Sequence, residues 1–144
     1  MRFRILALTL LFGSLLLGCD SAEDPPPVLQ GRYDGTFTYI APPGPFFPGG
    51  PVSESWVLTL TENGRGVVSG AGTLGDEMPV TISGSHDHPD VILDFTDDQG
   101  DAAGRFTGTL SDDGQQLDGV YNFTIFFANN PVTLARAPAT LLLR

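Results

Sequence analysis

From Gln30 onward the chain alternates apolar and polar residues in short segments, and this period of two restricts the fold more than anything else in the sequence. Tyr33, Gly35, Phe37 and Tyr39 fall on one side of the first segment, with Arg32, Asp34, Thr36 and Thr38 on the other. The same alternation gives Trp56, Leu58 and Leu60, then Val68, Gly70, Gly72 and Leu74, then Val80 and Ile82. It continues through Val91, Leu93 and Phe95, through Phe106, Gly108 and Leu110, and through Leu117, Gly119, Tyr121, Phe123 and Ile125. Side chains two apart share a face only in a strand, and no segment carries a helical period. Eight strands are predicted: Arg32–Ile40, Ser53–Thr61, Arg65–Leu74, Val80–Gly84, Val91–Thr96, Gly104–Leu110, Leu117–Phe126 and Val132–Arg136.

One apolar face per strand implies antiparallel pairing around a single interior. Glu62-Asn63-Gly64, Asp112-Asp113-Gly114 and Asn129-Asn130-Pro131 read as tight turns between strands. Short turns between successive strands give an up-and-down meander, and closing it hides both edges. The expected fold is therefore all-β, an eight-stranded antiparallel up-and-down β-barrel, with a two-sheet β-sandwich as the alternative. Eight strands enclose an interior that is either filled or holds one small ligand.

The N-terminus has a different character. Arg2 and Arg4 precede an apolar run, Ile5–Leu17, which ends in Leu16-Leu17-Gly18-Cys19. Basic, apolar and small, in that order, reads as a secretory signal. As a helix the apolar run is ~20 Å long, short of the ~30 Å bilayer core. Residues 16–19 resemble the bacterial lipobox. That resemblance implies a diacylglyceryl group on the Cys19 thiol, cleavage before Cys19 and acylation of the new amine. Residues 1–18 are then a removed signal peptide, 19–29 the lipidated cysteine with an acidic, proline-rich tether, and 30–144 the barrel domain.

The tether, Asp20–Val28, contains three prolines and no apolar period, which suits a stiff, extended spacer. The implied place is the cell envelope, outside the cytoplasm, lipid-anchored to a membrane. The outer membrane or cell surface is favoured and the inner membrane is the alternative. Acids after the lipidated cysteine resemble a surface-export signal in some phyla, whereas Asp20 resembles an enterobacterial inner-membrane retention signal. Cys19 is the only cysteine, so once acylated it leaves no thiol for disulfides or catalysis.

Composition narrows the partners. There is no lysine, and losing Arg2 and Arg4 leaves five arginines against 17 carboxylates, a formal charge of −12. Nucleic acid is excluded as a partner, because its binders neutralise phosphates with Lys and Arg. Such acidity also suits a solvated surface or a salt-adapted host.

Gly31-Arg32-Tyr33 resembles the G-x-W opening of the first lipocalin strand, and Val132-Thr133-Leu134-Ala135-Arg136 resembles the last lipocalin strand. The chain is thus similar to the calycins, the small barrels of the lipocalin and avidin group. The resemblance implies a closed-end pair in which Arg136 packs on the Tyr33 ring, and an open mouth covered by the first loop. The segment Thr140–Arg144 is an alternative closing strand.

That first loop, Ala41–Val52, is long and apolar, and Phe46 and Phe47 are candidates for a lid, a plug or a docking patch. With Tyr39, Trp56, Phe95, Phe106 and Phe123 they form the candidate site for a small apolar or amphipathic ligand, with no cofactor. The alternative is a filled barrel acting as a structural or interaction module for another envelope protein. His86, His88 and Asp90 offer imidazole and carboxylate donors for a metal, although a turn closed by Asp and Pro explains the same residues. Asp94, Asp97, Asp98 and Asp101 depart from calcium-loop spacing. No G-x-S-x-G, H-E-x-x-H or phosphate-loop pattern occurs, so no enzyme is expected.

Overall fold

The computed structural model describes residues 24–45, 48–75, 77–123 and 127–137, with the backbone alone for 127–129. The strands are β1 (Gly31–Ala41), β2 (Gly50–Glu62), β3 (Val67–Leu74), β4 (Met78–Asp87), β5 (Asp90–Asp97), β6 (Ala102–Leu110), β7 (Gln116–Phe123) and β8 (Phe127–Arg136). Each pairs antiparallel with its neighbour in sequence, and β8 returns to β1, closing an eight-stranded up-and-down barrel. Closure is incompatible with the sandwich alternative.

The inward residues are those that the alternation picks out. Tyr33, Trp56, Leu58, Ile82, Leu93, Phe95, Phe106, Leu117 and Leu134 are all essentially inaccessible. Aromatic side chains cluster toward one end, where Trp56 meets Tyr121 edge-on at 4.7 Å between ring centres and Phe95 at 5.6 Å. Inward glycines make room for them: Phe106 lies over the cross-strand pair Gly108–Gly119. A bulge in β6 beside Phe95 and Thr96 turns both Ala103 and Gly104 inward. The Ala103 carbonyl then accepts the Tyr121 hydroxyl, and Gly104, at φ +139°, lies under that phenol. A bulge is a common device for aiming a group into a barrel rim.

At the other end the chain enters through the floor. Leu29, which the sequence assigns to the tether, is wholly buried in the core, so the packed domain reaches one residue further back than Gln30. Its N–H donates to Glu62 Oε2 at 2.7 Å. The Tyr33 hydroxyl donates to the Gly114 carbonyl at 3.1 Å, tying β1 to the β6–β7 turn. The β2–β3 turn is held by the Asn63 side chain, which accepts from Arg65 N and Val67 N.

One turn differs from expectation. Asn129, Asn130 and Pro131 lie within β8 rather than between strands. The β1–β8 register ends at Phe37 opposite Val132, and beyond that point, among the described residues, β8 is paired with β7 alone. There it behaves as an edge strand, where a missing proline N–H is tolerated. The closing strand is therefore β8, and Arg136 is the register partner of Tyr33. Residues 138–144 lie outside the described residues.

Candidate functional site at the barrel mouth

The β1–β2, β3–β4, β5–β6 and β7–β8 connections share one end of the barrel, which is the mouth. A cup of about 320 Å³ opens there, lined by Phe37, Tyr39, Glu54, Trp56, Leu74, Gly75, Glu77, Met78, Tyr121 and Phe123. This is the small end of the range for ligand sites. Its wall is aromatic because inward positions near the mouth end of β1, β2 and β7 carry rings. Phe37 stacks on Tyr39 at 5.3 Å and meets Trp56 at 5.2 Å and Tyr121 at 5.4 Å.

Two polar features interrupt this wall. Glu54 is the residue two before Trp56, so strand parity turns it inward. Its Oε1 accepts the Tyr39 hydroxyl at 3.1 Å. Burial pushes the Tyr39 phenol above its ordinary value, and Glu54 adds to the shift through that bond and its charge. Burial also pushes Tyr121 well above the ordinary tyrosine range, with a smaller contribution from the Glu54 charge. Both hydroxyls therefore remain neutral donors at any physiological pH. The second feature is Trp56 Nε1, a buried donor with no acceptor among the described residues. A buried unsatisfied N–H costs about 1–3 kcal/mol, which an acceptor atom entering the cup would recover. Among the described residues, Glu54 and Glu77 are the charged ones that line the cup.

Of the residues singled out in the sequence for a ligand, Tyr39, Trp56 and Phe123 line the cup. Phe95 and Phe106 are instead packed below it in the core, Phe95 behind Trp56 and Tyr121 and Phe106 over the glycine pair. Phe46 and Phe47 lie outside the described residues. Glu54, Phe37 and Tyr121 join the site without having been singled out for it, although all three sit on inward parity positions.

The closed end carries the remaining candidates. The Arg136 guanidinium lies over Gly31, where an added Cβ would come within 2.9 Å of Nε. Burial raises the Tyr33 phenol pKa, the Arg136 charge opposes this and Glu62 adds to it. His86 continues the inward series of β4 and is buried, whereas Asp90 opens β5 and is exposed. Two of the four acids considered for calcium, Asp94 and Asp97, have other partners. Asp94 takes a two-point ion pair from Arg105, and the Asp97 carboxylate caps its turn by accepting from Gln99 N and Asp101 N.

No protein-family model, no curated protein and no solved structure matches the chain.

Proposed function

We propose that this protein is an envelope lipoprotein, anchored through acylated Cys19, whose barrel mouth binds a small amphipathic molecule carrying a positive charge. The supporting observation is the cup itself, an aromatic wall whose charged groups, among the described residues, are both carboxylates, Glu54 and Glu77. Aromatic faces attract ammonium groups, by about 0.5–1 kcal/mol where exposed and more where desolvated. The strongly acidic surface favours the approach of cations in the same sense. An apolar portion would lie against Phe37, Leu74 and Phe123, and an acceptor atom would meet Trp56 Nε1. The solid core below the cup sets the ligand's size, and it is also what the alternative reading, a filled interaction module, requires.

Trp56 is the only tryptophan, so its fluorescence reports on the cup alone. The full-length protein in non-ionic detergent is titrated with a short-chain alkyltrimethylammonium and with the alkyl sulfate of equal length, both as monomers. The cationic amphiphile is expected to shift Trp56 emission saturably, and the sulfate to leave it unchanged. Glu54→Gln should weaken the cationic response roughly three- to tenfold, the scale of one partly exposed charge. An equal response to both amphiphiles, or none to either, refutes the reading. The intact mass of the same preparation tests the anchor, since an unmodified Cys19 would remove it.

A further inference from the structure

Both histidines of the chain lie in a groove at the closed end, between residues 25–28 and the β2–β3 and β4–β5 turns. The His86 side chain is 3% exposed, and its Nδ1 is 2.7 Å from Glu62 Oε2. An ionised carboxylate only accepts hydrogen bonds, so Nδ1 carries the proton and, in the neutral ring, Nε2 presents its lone pair. That Nε2 is buried and has no partner among the described residues. His88 repeats the arrangement with its nitrogens exchanged. Nε2 is 3.3 Å from Asp112 Oδ1, and Nδ1 is buried and unpartnered among the described residues. The two rings are edge to face, with centres 5.8 Å apart.

Each imidazole is thus oriented by a carboxylate on one nitrogen and left bare on the other. Metal-bound histidines are held in this way, the outer carboxylate fixing tautomer and ring direction. A tetrahedral ion bound at ~2.0–2.1 Å by two imidazoles places their centres roughly 5 Å apart, close to the 5.8 Å between these two rings. We propose that His86 Nε2 and His88 Nδ1 form a two-imidazole site for a borderline divalent transition-metal ion such as zinc or copper. Among the described residues no group of three His, Cys, Asp or Glu is placed to hold an ion. The described residues thus supply two ligands, and water or another donor fills the other positions. Imidazole nitrogen selects zinc or copper over calcium and magnesium, which prefer oxygen.

Having only two histidines makes the test direct. One equivalent of Zn²⁺ is added to the full-length protein and the imidazole proton resonances are followed by NMR. Both histidines are expected to shift together and saturate at a 1:1 ratio. His88→Gln, at a position one-fifth exposed, should abolish the shift at His86 at the same zinc concentration. Asp112→Asn, which alters a fully exposed side chain, should weaken binding by about ten- to a hundredfold. If neither imidazole responds while amides of the acidic turns do, zinc is binding carboxylates and the site does not exist. A His86 shift that survives His88→Gln unchanged also overturns the pairing.

Discussion

Gly108 and Gly119 face each other across β6 and β7, and the edge of the Phe106 ring rests on both. A Cβ added to Gly119 would lie 2.7 Å from both Phe106 Cζ and Gly108 Cα, closer than a methyl group can approach. The strands or the ring must then move. Gly119→Ala should destabilise the barrel by about 1–3 kcal/mol, the usual cost of overfilling a core, and lower the Tm by several degrees. In a Phe106→Leu background the same change should cost less, because part of the clash has been removed, and a double-mutant cycle on thermal melts measures the difference. Residues of this kind were partly legible in the sequence. Glycine on an inward parity position signals room for a neighbouring ring, but alternation does not say which ring. The sorting of Phe95 and Phe106 into the core and Tyr39 and Trp56 into the cup had the same cause. Parity tells inside from outside, whereas height along a barrel depends on strand tilt and stagger.

Among the elements, the stretch before β1 has a sequence that understates its role. Its prolines and acids read as a spacer, yet Leu29 fills the floor and its N–H is held by Glu62. Leu29→Ala should cost about 2–5 kcal/mol, as for other fully buried leucines, and Val28→Ala, at a half-exposed position, close to nothing. Denaturant unfolding of the two variants would reveal the contrast, and equal effects would mean that the segment does not belong to the folded unit. The strand ends were legible only with parity carried past the last apolar residue. Leu58 and Leu60 lead to Glu62, and Ile82 and Gly84 lead to His86. Those two steps bring Glu62 and His86 together at the floor, a contact that hydrophobicity alone hides because both residues are polar. The start of β8 is hidden in the sequence for a related reason. Asn130-Pro131 carries turn chemistry, and only the early end of the β1 seam explains a strand there.

For the molecule as a whole, all three tyrosines have phenols raised above their ordinary value, in each case chiefly by burial. The folded barrel therefore keeps protons that the unfolded chain gives up near pH 10. Where the unfolded state holds fewer protons, stability falls as pH rises. Stability should be insensitive to tyrosine ionisation below about pH 10 and decline above it, by up to about 1.4 kcal/mol per pH unit for each of the buried phenols Tyr33 and Tyr121. Phenolate absorbance should likewise appear later in the native protein than in urea, and coincident titrations would contradict the burial of both.

The floor through which the chain enters has one more consequence. Residues 25–28 run along the closed end, and the cup opens at the opposite pole. β2 spans 13 residues, so with the usual strand rise and tilt the two poles are roughly 30 Å apart. On the proposed anchor, the barrel is moored by its base like an upright goblet, its rim facing the aqueous phase. On the same proposal it would collect what drifts past in solution, and a molecule dissolved in the bilayer beneath it would have to leave the lipid before it could be caught.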